Sequence, residues 1–167
     1  MFYSPKVTVW CGLSGNKIYG AFSFENSETE EAISINANNY LEMLEQIFVE
    51  DMDLECDDWF QQDGATAHTA RSWMEWLKNR FPGKLISHRS EFPWPARSPD
   101  LSPLDYFLWG FLKDKVFSIA PSEISDLKTT VRSVIEAIDS GTLQTVIANF
   151  AIRIEKCIVA MGGHFER

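Results

Sequence analysis

The 167-residue sequence has no apolar run approaching the ~18 residues that a membrane-crossing helix requires, so no transmembrane segment is expected. Its opening, Met1-Phe2-Tyr3-Ser4-Pro5-Lys6, lacks a basic stretch followed by an apolar one and does not read as a secretory signal. Cysteine is scarce. Cys11, Cys56 and Cys157 are far apart and odd in number, and no Cys-x-x-Cys occurs. This speaks against a zinc ribbon or a disulfide framework and fits a reducing compartment. Basic residues are missing from one long stretch: residues 18 to 70 hold 13 acids and no Lys or Arg. What is present suffices for a core. Apolar residues make up 45% and aromatics 13%, with 6 Trp and 12 Phe, which excludes global disorder and suits about one domain.

The net charge of −9 taken as a whole argues against a polyanionic partner, but the charge is unevenly distributed and one segment points the other way. Residues 71 to 97 hold six bases (Arg71, Lys78, Arg80, Lys84, Arg89 and Arg97) against Glu75 and Glu91, a local net of +4. Two readings stay open. The chain has two solvated faces of opposite sign, or it has an acidic metal centre beside a basic lip for a polyanion.

Periodicity places the elements. Val7 to Leu13 and Ile18 to Phe24 are β-rich around Ser14-Gly15-Asn16, which predicts a hairpin. Tyr40, Leu41, Leu44, Ile47 and Phe48 predict an amphipathic helix over about 37–50. Trp59 to Gln62 reads as a short strand ending at Asp63-Gly64. Thr66 or Thr69 should open a helix with Ala70, Trp73, Met74, Leu77 and Phe81 inward, closed by Pro82-Gly83. Leu85-Ile86 suggests another strand, and 88–103 reads as loop. Ser102 as N-cap, Pro103 at the first helical position and Asp105 in the first turn predict a helix to about Val116. Two further apolar stripes are expected in the core. One is Ile124, Leu127, Val131, Val134, Ile135 and Ile138. The other is Leu143, Val146, Ile147, Phe150, Ile154, Cys157 and Ile158.

Two segments offer chemistry. In Gln61-Gln62-Asp63-Gly64-Ala65-Thr66-Ala67-His68, an Asp leaves a strand end; alone, Asp-Gly reads as a turn and His68 as a structural histidine. In Arg97-Ser98-Pro99-Asp100-Leu101-Ser102-Pro103-Leu104-Asp105, a proline-stiffened turn delivers a carboxylate to a helix start; alone, Asp105 reads as a dipole-stabilising acid and Asp100 as a turn residue.

Together these segments resemble the catalytic domain of mariner-type transposases, of the ribonuclease H-like superfamily with an Asp-Asp-Asp or Asp-Asp-Glu triad. Val7 to Gly12, Tyr40 to Leu44, Trp109 and the terminal Gly162-Gly163-His164-Phe165-Glu166 carry the likeness further, over nearly the whole chain. The resemblance implies an α/β fold with a mixed sheet flanked by helices and extra C-terminal helices. It implies Asp63 and Asp105 as second and third triad acids, both catalytic and metal-ligating, with His68 in a supporting role. The implied cofactor is Mg²⁺ or Mn²⁺, two ions held roughly 3.5–4 Å apart for phosphodiester displacement. The implied activity is DNA cleavage and strand transfer in the nucleus, with transposon-end DNA as partner; the charge excess of 71–97 then places Arg71, Lys78, Arg80, Lys84, Arg89 and Arg97 on the DNA. A homodimer is allowed for the intact protein, and no membrane is involved. The two acids enclose 41 residues, a long spacing that suggests an extended loop over 85–100.

The sequence departs from the family at its start. The first triad acid belongs on a strand upstream of Val7, where only six residues stand, none acidic. The expectation is a catalytic domain over 1–167 lacking its first, central strand, without the family's N-terminal helix-turn-helix DNA-binding region and not active alone. In the superfamily order 3-2-1-4-5, loss of strand 1 leaves strands 2 and 4 without their shared neighbour. They then pair directly, the sheet splits, or another chain fills the gap. The alternative function is a domesticated, catalytically dead module that binds nucleic acid or protein.

Overall fold

The computed structural model describes residues 6–26, 32–50, 58–163 and 165, with backbone alone for 48–50 and 66–67. Most of the acidic connector 51–58, Cys56, His164, Glu166 and most of the polar loop 26–31 lie outside the described residues. The chain divides into two compact units, Met1–Ile33 with Pro99–Arg167, and Ser34–Ser98.

In the first unit, β1 (Val9–Leu13) and β2 (Ile18–Ser23) form the expected antiparallel hairpin. Ser14 closes it by donating its amide to the Lys17 carbonyl at 2.9 Å. The register slips between Trp10 and Gly12. Gly20 on the facing strand has φ +91°, and a Cβ there would stand 2.7 Å from the Trp10 carbonyl oxygen, so only glycine fits. Three helices complete the unit: α3 (Trp109–Ile119), α4 (Ile124–Glu136) and α5 (Ser140–Val159). Cys11, Leu108, Leu112, Leu127, Val131 and Ile135 make its buried cluster. Burial pushes the Cys11 thiol up to about 12, so it behaves as a small apolar residue. Lys128 of α4 pairs with Glu25 just after β2. Asp139 caps α5, accepting from the Thr142 amide at 2.9 Å and the Thr142 hydroxyl at 2.8 Å.

The second unit holds α1 (Ala37–Glu50), α2 (Arg71–Arg80) and a parallel sheet in the order β3 (Phe60–Gln61), β4 (Leu85–Ser87), β5 (Phe92–Pro93). Helix α1 keeps the expected boundaries because its start is locally encoded. Asn36 Oδ1 accepts from the amides of Asn38 and Asn39, and Asn39 Oδ1 accepts from the Asn36 amide at 2.8 Å, a reciprocal cap. Tyr40, Leu44 and Ile47 are buried from α1, and Trp73, Met74, Leu77 and Phe81 from α2 and its end. Gly83, at φ +71°, follows the turn that ends α2.

Of the three outcomes named for the sheet, the described residues take the split, with the strands in two separate sheets. Several other expectations are corrected. Residues 88–103 are not all loop: β5 adds a third strand, and Pro99–Leu101 is a 3₁₀ turn. Thr66–Thr69 is a separate 3₁₀ turn, and α2 starts at Arg71 with Ala70 at its N-cap and no side-chain cap. The helix start after Ser102 is a π turn, Leu104–Leu108, which leads into α3 and on to Ile119. There the Trp109 amide reaches the Leu104 carbonyl, five residues back. No side-chain cap forms; the Ser102 carbonyl accepts from the amides of Asp105 and Tyr106, both at 2.9 Å. The last stripe is only half core. Leu143 and Val146 are buried, but Ile147 is 37%, Ile154 36% and Ile158 70% exposed. Among the described residues no helix is long and apolar enough to cross a membrane.

Candidate functional site

The chemistry-bearing residues fall in both units, and each set is built differently. In the Ser34–Ser98 unit, parallel pairing carries the chain to Asp63. The Phe60 amide donates to the Lys84 carbonyl and the Gln62 amide to the Ile86 carbonyl, both at 3.0 Å. Strand alternation turns Gln62 to the face shared with Phe60, towards α2, where it is buried. A buried amide must be satisfied. Gln62 Nε2 donates to the His68 carbonyl at 3.0 Å and to Ser87 Oγ at 2.9 Å, while Oε1 accepts from Trp73 Nε1 at 3.0 Å. One side chain thus ties the strand end to the 3₁₀ turn, to β4 and to α2.

Asp63 follows at once, outside the buried layer. Its Oδ1 accepts from the Ala65 amide at 3.0 Å, the turn expected of Asp-Gly, and from His68 Nδ1 at 2.6 Å. A carboxylate only accepts, so this bond places a proton on Nδ1 of the imidazole. The His68 ring leans on the buried Tyr40 ring, centroids 4.9 Å apart, and Tyr40 meets Trp73 edge-on at 5.4 Å. The histidine is therefore oriented from α1 and from its own turn. The hydrogen bond from His68 is the largest cause holding the Asp63 carboxyl below its usual range; partial burial opposes it, and the Ala65 amide and the His68 charge add to it. The Asp63 side chain is 50% exposed, and among the described residues nothing donates to its Oδ2. The geometry is a stabilised carboxylate that presents one open oxygen at a strand end.

In the other unit, Asp105 stands exposed in the first turn of the π segment, its amide bonded to the Ser102 carbonyl. An acid there is favoured by the helix dipole. Around it, the Tyr106 hydroxyl donates to the Val146 carbonyl at 2.8 Å. Arg153 Nη1 donates to the Asp100 carbonyl at 2.9 Å, and its guanidinium lies 4.0 Å from the Tyr106 ring centroid. Burial raises the Tyr106 phenol, with the Arg153 charge pulling the other way.

Asp63 and Asp105 offer hard oxygen donors of the kind Mg²⁺ and Mn²⁺ prefer. Their number is short. Among the described residues no three of His, Cys, Asp and Glu gather where one ion could be held, so these residues alone do not fit a two-ion centre. Of the six bases, Arg71, Lys78, Arg80, Arg89 and Arg97 are exposed and Lys84 is half-buried. They do not form one stripe. Arg71 and Lys78 share a side of α2, where Arg71 pairs with Glu75 at 3.0 Å, while Arg80 lies about 180° round the helix. Arg97 sits in a left-handed conformation at φ 57°.

Sequence reasoning missed Gln62 as a binding hub and missed Arg153 and Tyr106. Strand parity signals the first, since Phe60 and Gln62 fall on one face and a polar residue there requires partners. Nothing local signals Arg153, which acts 53 residues from Asp100.

No family model matches the chain. It is similar to the transposable element Tcb2 transposase of Caenorhabditis briggsae, 28% identical over 103 residues, which is 62% of this chain and 35% of that protein. It is similar also to the transposable element Tc3 transposase of Caenorhabditis elegans, 29% identical over 105 residues, 62% of this chain and 30% of that protein. The matched stretch thus spans about a third of the length of these curated relatives. Among solved structures, the catalytic domain of Mos1 mariner transposase superposes with a TM-score of 0.78 at 21% identity, over 99% of this chain and 79% of that one. The same domain with Raltegravir and Mn gives 0.78 at 20%, over 99% and 80%. The Mos1 mariner paired end complex with Mn gives 0.75 at 22%, over 92% and 43%. The fold is that of the Mos1 catalytic domain, and the resemblance to mariner-type transposase catalytic domains read from the motifs agrees with these similarities in sequence and in structure.

Proposed function

We propose that this chain is part of a mariner-type transposase whose ancestral activity is metal-dependent DNA cleavage and strand transfer in the nucleus. Asp63 and Asp105 serve as two of the metal-binding carboxylates, and His68 orients Asp63 rather than binding metal. The observation that carries this reading is the Asp63 arrangement: a carboxylate at a strand end, stabilised by a histidine five residues on, with one oxygen to which no described residue donates. The Mos1 structures solved with Mg and with Mn, and the paired end complex, support divalent ions and transposon-end DNA as the partners. The bases between Arg71 and Arg97 supply phosphate contacts, which are salt-sensitive and independent of sequence.

The 167 residues by themselves are expected not to nick or join DNA. Two carboxylates leave at least one of two ions short of a bridging ligand. The second reading, a catalytically dead binding module, is favoured by the lack of a three-residue donor group among the described residues. The test is calorimetric titration of the chain with MnCl₂, beside nicking of supercoiled plasmid in Mg²⁺ or Mn²⁺. Weak Mn²⁺ binding that is lost in Asp63→Asn and in Asp105→Asn, without nicking, is expected. Mn²⁺ binding unchanged in both variants overturns the carboxylate assignment. Nicking by the wild-type chain that Asp63→Ala abolishes overturns the expected inactivity.

A further inference from the structure

The segment that carries Asp105 is held in its own backbone only by short-range bonds, from the Ser102 amide to the Pro99 carbonyl and from the Asp105 and Tyr106 amides to the Ser102 carbonyl. Pro99–Leu101 is a short 3₁₀ turn, no side chain caps the helix start, and the first turn is π, a wide geometry that seldom persists without outside support. Support comes from α5. Arg153 donates Nη1 to the Asp100 carbonyl and lays its guanidinium on the Tyr106 ring. Tyr106 in turn donates its hydroxyl to the Val146 carbonyl, two turns before Arg153 on the same face of α5. The Phe165 ring lies 5.9 Å from the guanidinium. Asp100 and Tyr106 bracket Asp105, and both are tied to α5, while Asp105 itself remains exposed.

We infer that Arg153 is a positioning residue for Asp105, clamping the turn 99–106 against α5 by stacking on Tyr106 and bonding the Asp100 carbonyl. The role in positioning rests on the reading of Asp105 as a metal-binding carboxylate. Only a planar guanidinium stacks and donates sideways at once; an ammonium donates as a point charge. Arg153→Lys should therefore keep part of the clamp and Arg153→Met none of it.

The test is amide exchange by NMR on the whole 167-residue chain, with Mn²⁺ alone as a paramagnetic probe. In Arg153→Met the amides of Ser102, Asp105 and Tyr106 should exchange about tenfold faster, while those of β1, β2 and α4 are unchanged. Arg153→Lys should fall between this and wild type. Turn amides that do not respond in either variant overturn the clamp. Uniform acceleration across the unit in both variants overturns it also, leaving a general brace. In wild type Mn²⁺ should broaden the Asp105 amide, and Arg153→Met should raise the Mn²⁺ concentration needed several-fold, with Arg153→Lys regaining part. Absence of broadening in wild type defeats the metal reading of Asp105, and with it the positioning role, whatever the exchange data show about the clamp.

Discussion

Asp63 and Asp105 are held in opposite ways. The Asp63 carboxylate is fixed from close by: its turn amide is two residues on, its histidine five, and the Gln62 next to it anchors the strand end in a buried layer. The Asp105 segment has a wide helical turn and a remote clamp, Arg153 reaching the Asp100 carbonyl across 53 residues. A carboxylate placed by local bonds is set once its strand pairs. One placed by a distant side chain is set only after another helix docks, and it is the more easily moved.

The largest effect is expected in the core beneath the Asp105 turn. Leu108, fully buried at the end of the π segment, should cost its unit about 2–5 kcal/mol when changed to Ala, read as a lowered denaturant midpoint. A loss below about 1 kcal/mol would mean that the turn does not rest on that cluster. The Asp63 side is next. Gln62→Leu keeps the volume but strands Trp73 Nε1 in a buried layer and leaves Ser87 Oγ with its weak bond to Met74 Sδ at 3.6 Å, at about 1–3 kcal/mol by the same measurement. The His68 turn should also loosen, because its carbonyl loses its donor.

A third test addresses the electrostatics at Asp63. Its carboxyl is held below the usual range in the folded chain, so the unfolded chain binds the proton more readily. The stability it contributes is present above the ordinary carboxylate pKa and is lost as pH falls through the lowered folded value. Carboxylate ¹³C NMR should show Asp63 titrating below the usual range in wild type and returning towards it in His68→Gln. Half-exposure and solvent screening keep the energy to about 1 kcal/mol or less. An unchanged midpoint in His68→Gln would show that the histidine is not what stabilises the ion. The smallest effect on stability belongs to Arg71→Ala, where an exposed i,i+4 pair contributes at most about 0.5 kcal/mol. If Arg71 meets phosphate, the salt slope of duplex binding should fall by about one in that variant. An unchanged slope removes Arg71 from the DNA face.

Where the determinants lie close in sequence, they were legible. Helix α1 starts and ends where periodicity places it, the hairpin turns at Ser14-Gly15-Asn16, and Asp63 leaves a strand end. The strand β5 was hidden in a proline-bearing stretch because two residues of edge pairing to β4 leave no periodic signal. The π turn was hidden because Ser102, Pro103 and Asp105 satisfy the ordinary rules for an α-helix start, and nothing in them reports a widened turn.

The sequence alone determined the hairpin, the main helices, the polarised charge, and the two acids in their motifs, since each rests on residues within a turn or two of one another. Tertiary structure alone decided that the strands split into two sheets, that Gln62 ties together the 3₁₀ turn, β4 and α2, and that three of the seven α5 stripe residues stay exposed. It also decided that Arg153 holds the Asp105 turn. These depend on which surfaces meet after the chain has folded back over tens of residues. Hydrogen bonds and burial at that range carry no signature in local spacing, because any of several cations or apolar side chains on α5 would have given the same helical pattern.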